Sequence, residues 1–307
     1  MRAKTPSPII RSCLFLSLAA LCSFAPEARG RTVQHFPVGK HLQALTFDGA
    51  NIWVTSAPGD IVTEVRASDG AVLGTFPTGK LPGWITFDGA NIWVSNLLGN
   101  NVTKLRASDG VVLGTYDVGN SPEGIAYDGA NIWVALLESN SVTELRASDG
   151  VVLGHFRVDS QPEGVLFDGS AIWVACSGSN TLVKLDPSNG SPLGRVTVGG
   201  FPYALTSDGT KVWVTNSNDD TVTVVRPDNG AVYGTFPVGT GPDGIAFDGL
   251  NIWVANAFDD NVSVLSSKTG ATRGTIPVGD GPIGVCFDGT SIWTANHLDN
   301  TLTKITP

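Results

Sequence analysis

The octapeptide FDGANIWV occupies Phe47–Val54 and recurs unchanged at Phe87–Val94. Near-copies follow at forty-residue steps: YDGANIWV at Tyr127, FDGSAIWV at Phe167, SDGTKVWV at Ser207, FDGLNIWV at Phe247 and FDGTSIWT at Phe287. Seven copies with no insertion or deletion mean that whatever one unit folds into, the chain builds seven times. Residues 111–150, VVLGTYDVGNSPEGIAYDGANIWVALLESNSVTELRASDG, serve as the specimen. Asp128-Gly129 and Asp149-Gly150 are hairpin dipeptides, and GNSPEG is a break carrying both Gly and Pro. Between the breaks lie four runs rich in Val, Ile, Thr and aromatics: Val111–Val118, Gly124–Tyr127, Ile132–Ala135 and Ser141–Leu145. None has the length or the 3.6-residue period of a helix. Each unit therefore reads as a four-stranded antiparallel meander.

A lone meander of this kind exposes two apolar faces, so neighbouring copies must stack. Four strands in about forty residues is the signature of a propeller blade. One Trp stands in the middle of the third run of every copy, at 53, 93, 133, 173, 213, 253 and 293, where a large ring fills the wedge between adjacent sheets. The chain ends supply an independent argument. TLTKITP at Thr301–Pro307 is the third strand of a meander that lacks its fourth, while RTVQHFPVG at Arg31–Gly39 is a fourth strand with no sheet before it. The two remnants complement each other. The expected fold is all-β: a seven-bladed β-propeller of four-stranded antiparallel blades, closed by the N-terminal strand pairing in the last blade. The PEGIAYDG strand is placed innermost, because its Gly and Ala suit a crowded axis.

Ahead of the repeats, Arg2, Lys4 and Arg11 precede the apolar run Ser12–Ala25, which is too short to span a bilayer and is followed by the small residues Ala28 and Gly30. Residues 1–30 read as a secretory signal peptide and 31–307 as the propeller, so the expected location is extracytoplasmic, secreted or periplasmic. Without residues 1–30 the chain carries 15 basic against 27 acidic residues, a net charge near −12. Such a surface repels phosphate backbones and argues against nucleic acid as a partner. No other segment is apolar enough to span a membrane, and a monomer is expected. Cys176 and Cys286, in or beside apolar strands three repeats apart, are expected as small buried side chains and not as a disulfide.

The strand ends WVTN (Trp213–Asn216), WVSN (Trp93–Asn96) and WVAN (Trp253–Asn256), each followed by a polar turn, a TVT-like strand and FPVGxGPxGIAF, resemble the YVTN-type seven-bladed propeller repeats over residues 31–307. That resemblance implies the fold and leaves activity open. More distantly the chain is similar to the streptogramin (virginiamycin B) lyase propellers, a resemblance that implies a His and Glu magnesium site. This chain departs from that pattern where it matters. After the loop Pro, or at the matching position, it has Gln43, Gly83, Glu123, Glu163, Tyr203, Asp243 and Ile283, with no His. The Trp strand closes on Ser56, Asn96, Leu136, Cys176, Asn216, Asn256 and Asn296, with no Glu.

In a repeated scaffold the positions that differ between repeats carry the functional information. GTGPDG (Gly239–Gly244) and GDGPIG (Gly279–Gly284) match a dinucleotide fingerprint, but each lies between strands with no helix to receive a pyrophosphate. The loops leading into the inner strands and the loops after the Trp strands share one face and hold most of the variation. At the channel mouth on that face, Trp84, Glu123, Glu163, Tyr203 and Asp243 form the candidate ligand site. Oxygen-rich side chains there would suit calcium or magnesium, although no cofactor is expected. His41, His297 and Asp299, from the first and last blades, are the candidate metal set, with Asp280 as an alternative carboxylate. Asp219-Asp220 and Asp259-Asp260 are further acidic turns. The expected function is a non-catalytic binding protein that presents this face to a protein, a glycan or a small ligand. The alternative is a metal-assisted lyase or hydrolase with its site over the channel mouth.

Overall fold

The computed structural model describes residues 30–306, so the signal-peptide reading falls almost wholly outside the described residues. Twenty-eight strands, numbered β1 to β28 in chain order, make seven four-stranded antiparallel sheets. The first blade is β2 (Leu42–Phe47), β3 (Asn51–Ser56), β4 (Ile61–Arg66) and β5 (Val72–Pro77), and the next five repeat it. The last contains β26 (Pro282–Phe287), β27 (Ile292–Asn296) and β28 (Thr301–Thr306), completed by β1 (Thr32–Pro37). β1 pairs with β28 over its whole length, from Thr32 opposite Thr306 to Pro37 opposite Thr301. The ring is closed as the chain ends required. Among the described residues no helix is long and apolar enough to cross a membrane.

All seven Trp side chains of the third-run column are at most 1% exposed. Trp53 packs with Ile85, Ile92 and Leu105 of the following blade, and the seam repeats the arrangement, with Trp293 against Leu42, Ile52 and Val54. Each indole N–H is satisfied by the Asp five residues before it, from Asp48 to Asp288, at 2.7–2.9 Å. The other oxygen of each Asp accepts backbone N–H groups two and three residues on, as Asp128 does from Ala130 and Asn131. The turn thus spans Asp128–Asn131, closed by Asp128 N–H on the Asn131 carbonyl, and the carboxylate folds the loop around itself.

The innermost strands carry glycine for a specific reason. A Cβ on Gly124 would lie 2.2 Å from the Glu163 carbonyl, and those on Gly164, Gly244 and Gly284 would lie 2.3–2.7 Å from the corresponding carbonyl of the next blade. The equivalent positions in the other three blades are Ala44, Trp84 and Ala204. Facing each of them is a hydroxyl from the Trp strand. Thr55 and Thr215 each accept from the backbone N–H of Ala44 or Ala204 and donate across to the carbonyl of Gly83 or Asp243, at 2.6 and 2.9 Å. Ser95 takes the N–H of Trp84 at 3.1 Å. Where the inner residue is Gly, that column holds Ala135, Ala175, Ala255 and Ala295. Cys176 and Cys286 are free, the first buried in an apolar cluster and the second half-buried beside the seam cluster.

Candidate functional site at the channel mouth

One face of the ring is fixed by a repeated side-chain clamp. Asp60, Asn100, Asn140, Asn180, Asp220, Asp260 and Asn300 all have left-handed backbones, with φ of 50–64°. Each accepts, at 2.7–3.0 Å, the backbone N–H of the residue that leads into the inner strand of the next blade. Those receiving residues, His41 and Leu81 through Gly281, are left-handed as well, with φ of 48–64°. Asx side chains tolerate this conformation and bond locally, which is why they hold the column. The acidic turns therefore serve the loops: Asp219 and Asp259 accept from Gly200 and Thr240, and Asp220 and Asp260 from Gly241 and Gly281.

Within that pinned rim lies a cavity of about 220 Å³. Gln43, Trp84, Glu123, Tyr203, Asp243 and Ile283 line its mouth, above an aliphatic collar that includes Leu45, Ile85, Ile125, Val165, Leu205, Ile245 and Val285. Trp84 comes from the second blade and Tyr203 from the fifth, yet their ring centroids are 5.4 Å apart, so the indole reaches across the channel. Glu163 is 6% exposed, beside the cavity, and accepts from Ser177 Oγ at 3.0 Å.

The electrostatics follow from burial. Desolvation, reinforced by the charge of Glu163, pushes the Glu123 carboxyl up to about 8. Burial also raises Glu163, against the Ser177 hydrogen bond. It holds Asp243 well above the usual carboxylate range, with the charges of Glu163 and Glu123 adding to the effect. The Tyr203 phenol is raised well above its ordinary value by burial and then by the three acids. Like charges in a low-dielectric mouth cannot all ionise, and a cation placed among them relieves the cost.

His41 and His297 do meet. His41 Nδ1 lies 3.3 Å from His297 Nε2, and the rings are 4.9 Å apart. Asp299 does not join them: its carboxylate accepts from Thr301 N and Oγ1 and from Asp280 N, closing its own loop. Among the described residues no three His, Cys, Asp or Glu side chains converge as a metal set. The exposed His35 and His155 hydrogen-bond to Thr303 and Thr143 on the outer edge of the ring. The sequence reading missed the Asx clamp, although a column of seven Asp or Asn at forty-residue spacing was open to view. It also missed the reach of Trp84 to Tyr203, which no spacing within one repeat encodes.

No protein-family model matches the chain. No curated protein matches it either. Solved structures do: virginiamycin B lyase from Staphylococcus aureus superposes with a TM-score of 0.79 at 18% identity, covering 91% of this chain and 100% of that one. The ring has the virginiamycin B lyase fold. The same values hold for a catalytically inactive variant of that lyase solved with quinupristin. A streptogramin B lyase matches at 0.77 and 17% identity, over 90% of this chain and 97% of that one. A hydrazine synthase from Kuenenia stuttgartiensis matches at 0.75 and 20%, over 92% and 99%. One fold at such low identities serves unrelated chemistries, so the likeness carries architecture alone.

Proposed function

We propose that this protein is a secreted or periplasmic, non-catalytic binding propeller whose ligand enters the channel mouth from the variable face. The observation that carries the reading is the convergence of Glu123 and Asp243 with the Trp84–Tyr203 pair on one cavity, with Glu163 buried beside it. Carboxylates strained by mutual repulsion beside aromatic faces suit a small organic cation, whose charge compensates the acids while its carbon body rests on the rings and the aliphatic collar. The clamp on every lead-in loop supports rigid display, since a preorganised site loses little entropy on binding. Isothermal titration of the mature protein with putrescine, tetramethylammonium and lysine amide tests this. Binding of at least one, weakened tenfold or more by Trp84→Ala and by Glu163→Gln, is expected; indifference of the protein to all three overturns the reading.

The second reading is a metal-assisted lyase or hydrolase over the same mouth. It is favoured by the fold shared with the streptogramin lyases and by a Glu123 that titrates near neutrality, as a general acid or base should. Incubation with quinupristin and magnesium, followed by mass spectrometry, decides between them. Conversion that is abolished by Glu123→Gln establishes the enzyme.

A further inference from the structure

We infer that His41 and His297 form a two-imidazole site for a borderline transition-metal ion, zinc above all, that staples the first blade to the last where the ring closes. The inference is independent of the channel-mouth reading. Both rings are placed by backbone constraints and not by chance contact. His41 is held left-handed at φ 48°, with its N–H on Asn300 Oδ1 at 2.7 Å, the seam copy of the clamp. His297 follows directly on the end of β27, and its N–H is tied to the Gly281 carbonyl at 2.9 Å. The resulting Nδ1 to Nε2 separation is 3.3 Å. Two nitrogens on a tetrahedral zinc, each about 2.0–2.1 Å from the metal, stand about 3.3–3.4 Å apart. The spacing is that of two ligands of one ion.

The proton positions agree. His297 Nδ1 lies 3.0 Å from the Leu42 carbonyl, which can only accept, so Nδ1 carries the hydrogen and Nε2 presents its lone pair to His41. A ligating His whose other ring N–H is held by a backbone carbonyl is the usual outer-shell arrangement of metal centres. The Gln43 amide, 3.3 Å from the same nitrogen and with interchangeable ends, then turns its oxygen toward that N–H. Neutral His41 needs only to carry its proton on Nε2 for Nδ1 to ligate. With no third His, Cys, Asp or Glu in the group, waters complete the coordination. Imidazole pairs of this kind select zinc, copper and nickel over magnesium and calcium.

Thermal unfolding and isothermal titration of the mature protein test the site with zinc sulfate, and with magnesium and calcium chlorides as controls. Zinc is expected to bind one equivalent per chain and to raise Tm by about 2–4 °C at saturation, while magnesium and calcium leave it unchanged. His297→Ala and His41→Asn, the latter chosen because Asn keeps the left-handed backbone, should each lose the zinc equivalent. His35→Ala and His155→Ala should retain it. Zinc that fails to bind the folded protein, or that binds His41→Asn and His297→Ala as well as the parent, overturns the inference.

Discussion

At the scale of single residues, the Asp five places before each Trp does two jobs, folding its loop and receiving the indole N–H. Asp128→Ala removes a charged acceptor from three donors at once, the N–H groups of Ala130 and Asn131 and the Trp133 indole, the last of which is buried. A loss of about 2–3 kcal/mol in urea unfolding is expected. The mouth acids set a pH dependence whose sign can be worked out. Glu123, Glu163 and Asp243 all bind protons more tightly when folded than when unfolded. The favourable contribution of Glu123 is therefore complete below the ordinary Glu value of 4.5 and is lost as pH rises through about 8, and those of Glu163 and Asp243 are lost in the same direction as pH rises above their ordinary values. The Asp residues that hold the indoles, such as Asp88 and Asp168, are shifted downward, so their stabilisation is complete above the ordinary Asp value of 3.8 and is lost only as pH falls below it. Tm should thus fall between about pH 5 and pH 8.5, with a smaller fall in Glu123→Gln; a flat profile for the parent protein would contradict the site's electrostatics. The pairing of Asp with Trp was visible in the sequence as an invariant spacing, even in the copy where Ser207 replaces the aromatic. What it bonded to was not, because the same dipeptide also serves simple hairpins.

At the scale of strands, the inner ring uses two alternative solutions for the contact between blades. One is Gly with a facing Ala, and the other is a residue with a Cβ and a facing hydroxyl. Gly244→Ala forces a Cβ to within 2.4 Å of the Ile283 carbonyl and should cost about 1–3 kcal/mol. Pairing it with Ala255→Thr, which recreates the Ala204 and Thr215 combination, should recover a good part of that loss, measured by denaturant midpoints. Strand boundaries were largely legible, apart from the inner strand, which begins at Pro122 and not at Gly124. Proline is tolerated there because the first residue of a strand need not donate to the ladder. A bulge follows, between Pro122 and Ile125, and alternation alone does not reveal it. Glu123 lies within that bulge and lines the cavity, so the site rests on the least readable part of the repeat.

At the scale of the whole molecule, the ring count, the four-stranded blades and the closure by β1 all followed from forty-residue periodicity and from complementary chain ends. The site did not, because Trp84 meets Tyr203 only once blades two and five face each other across the axis. Deleting residues 31–38 should leave β28 with an open edge and the seventh blade three-stranded. Size-exclusion chromatography is expected to show aggregation, and calorimetry a lower Tm, whereas a permutant that joins those residues after Thr306 should behave as the parent does.

Ring closure also governs the order of events during synthesis. Among the described strands the first, β1, has its partner in the last, β28, so β1 cannot pair until every blade between them has been made. Some 270 residues lie between donor and acceptor, so closing the ring means capturing a tethered end across the longest loop the chain can offer.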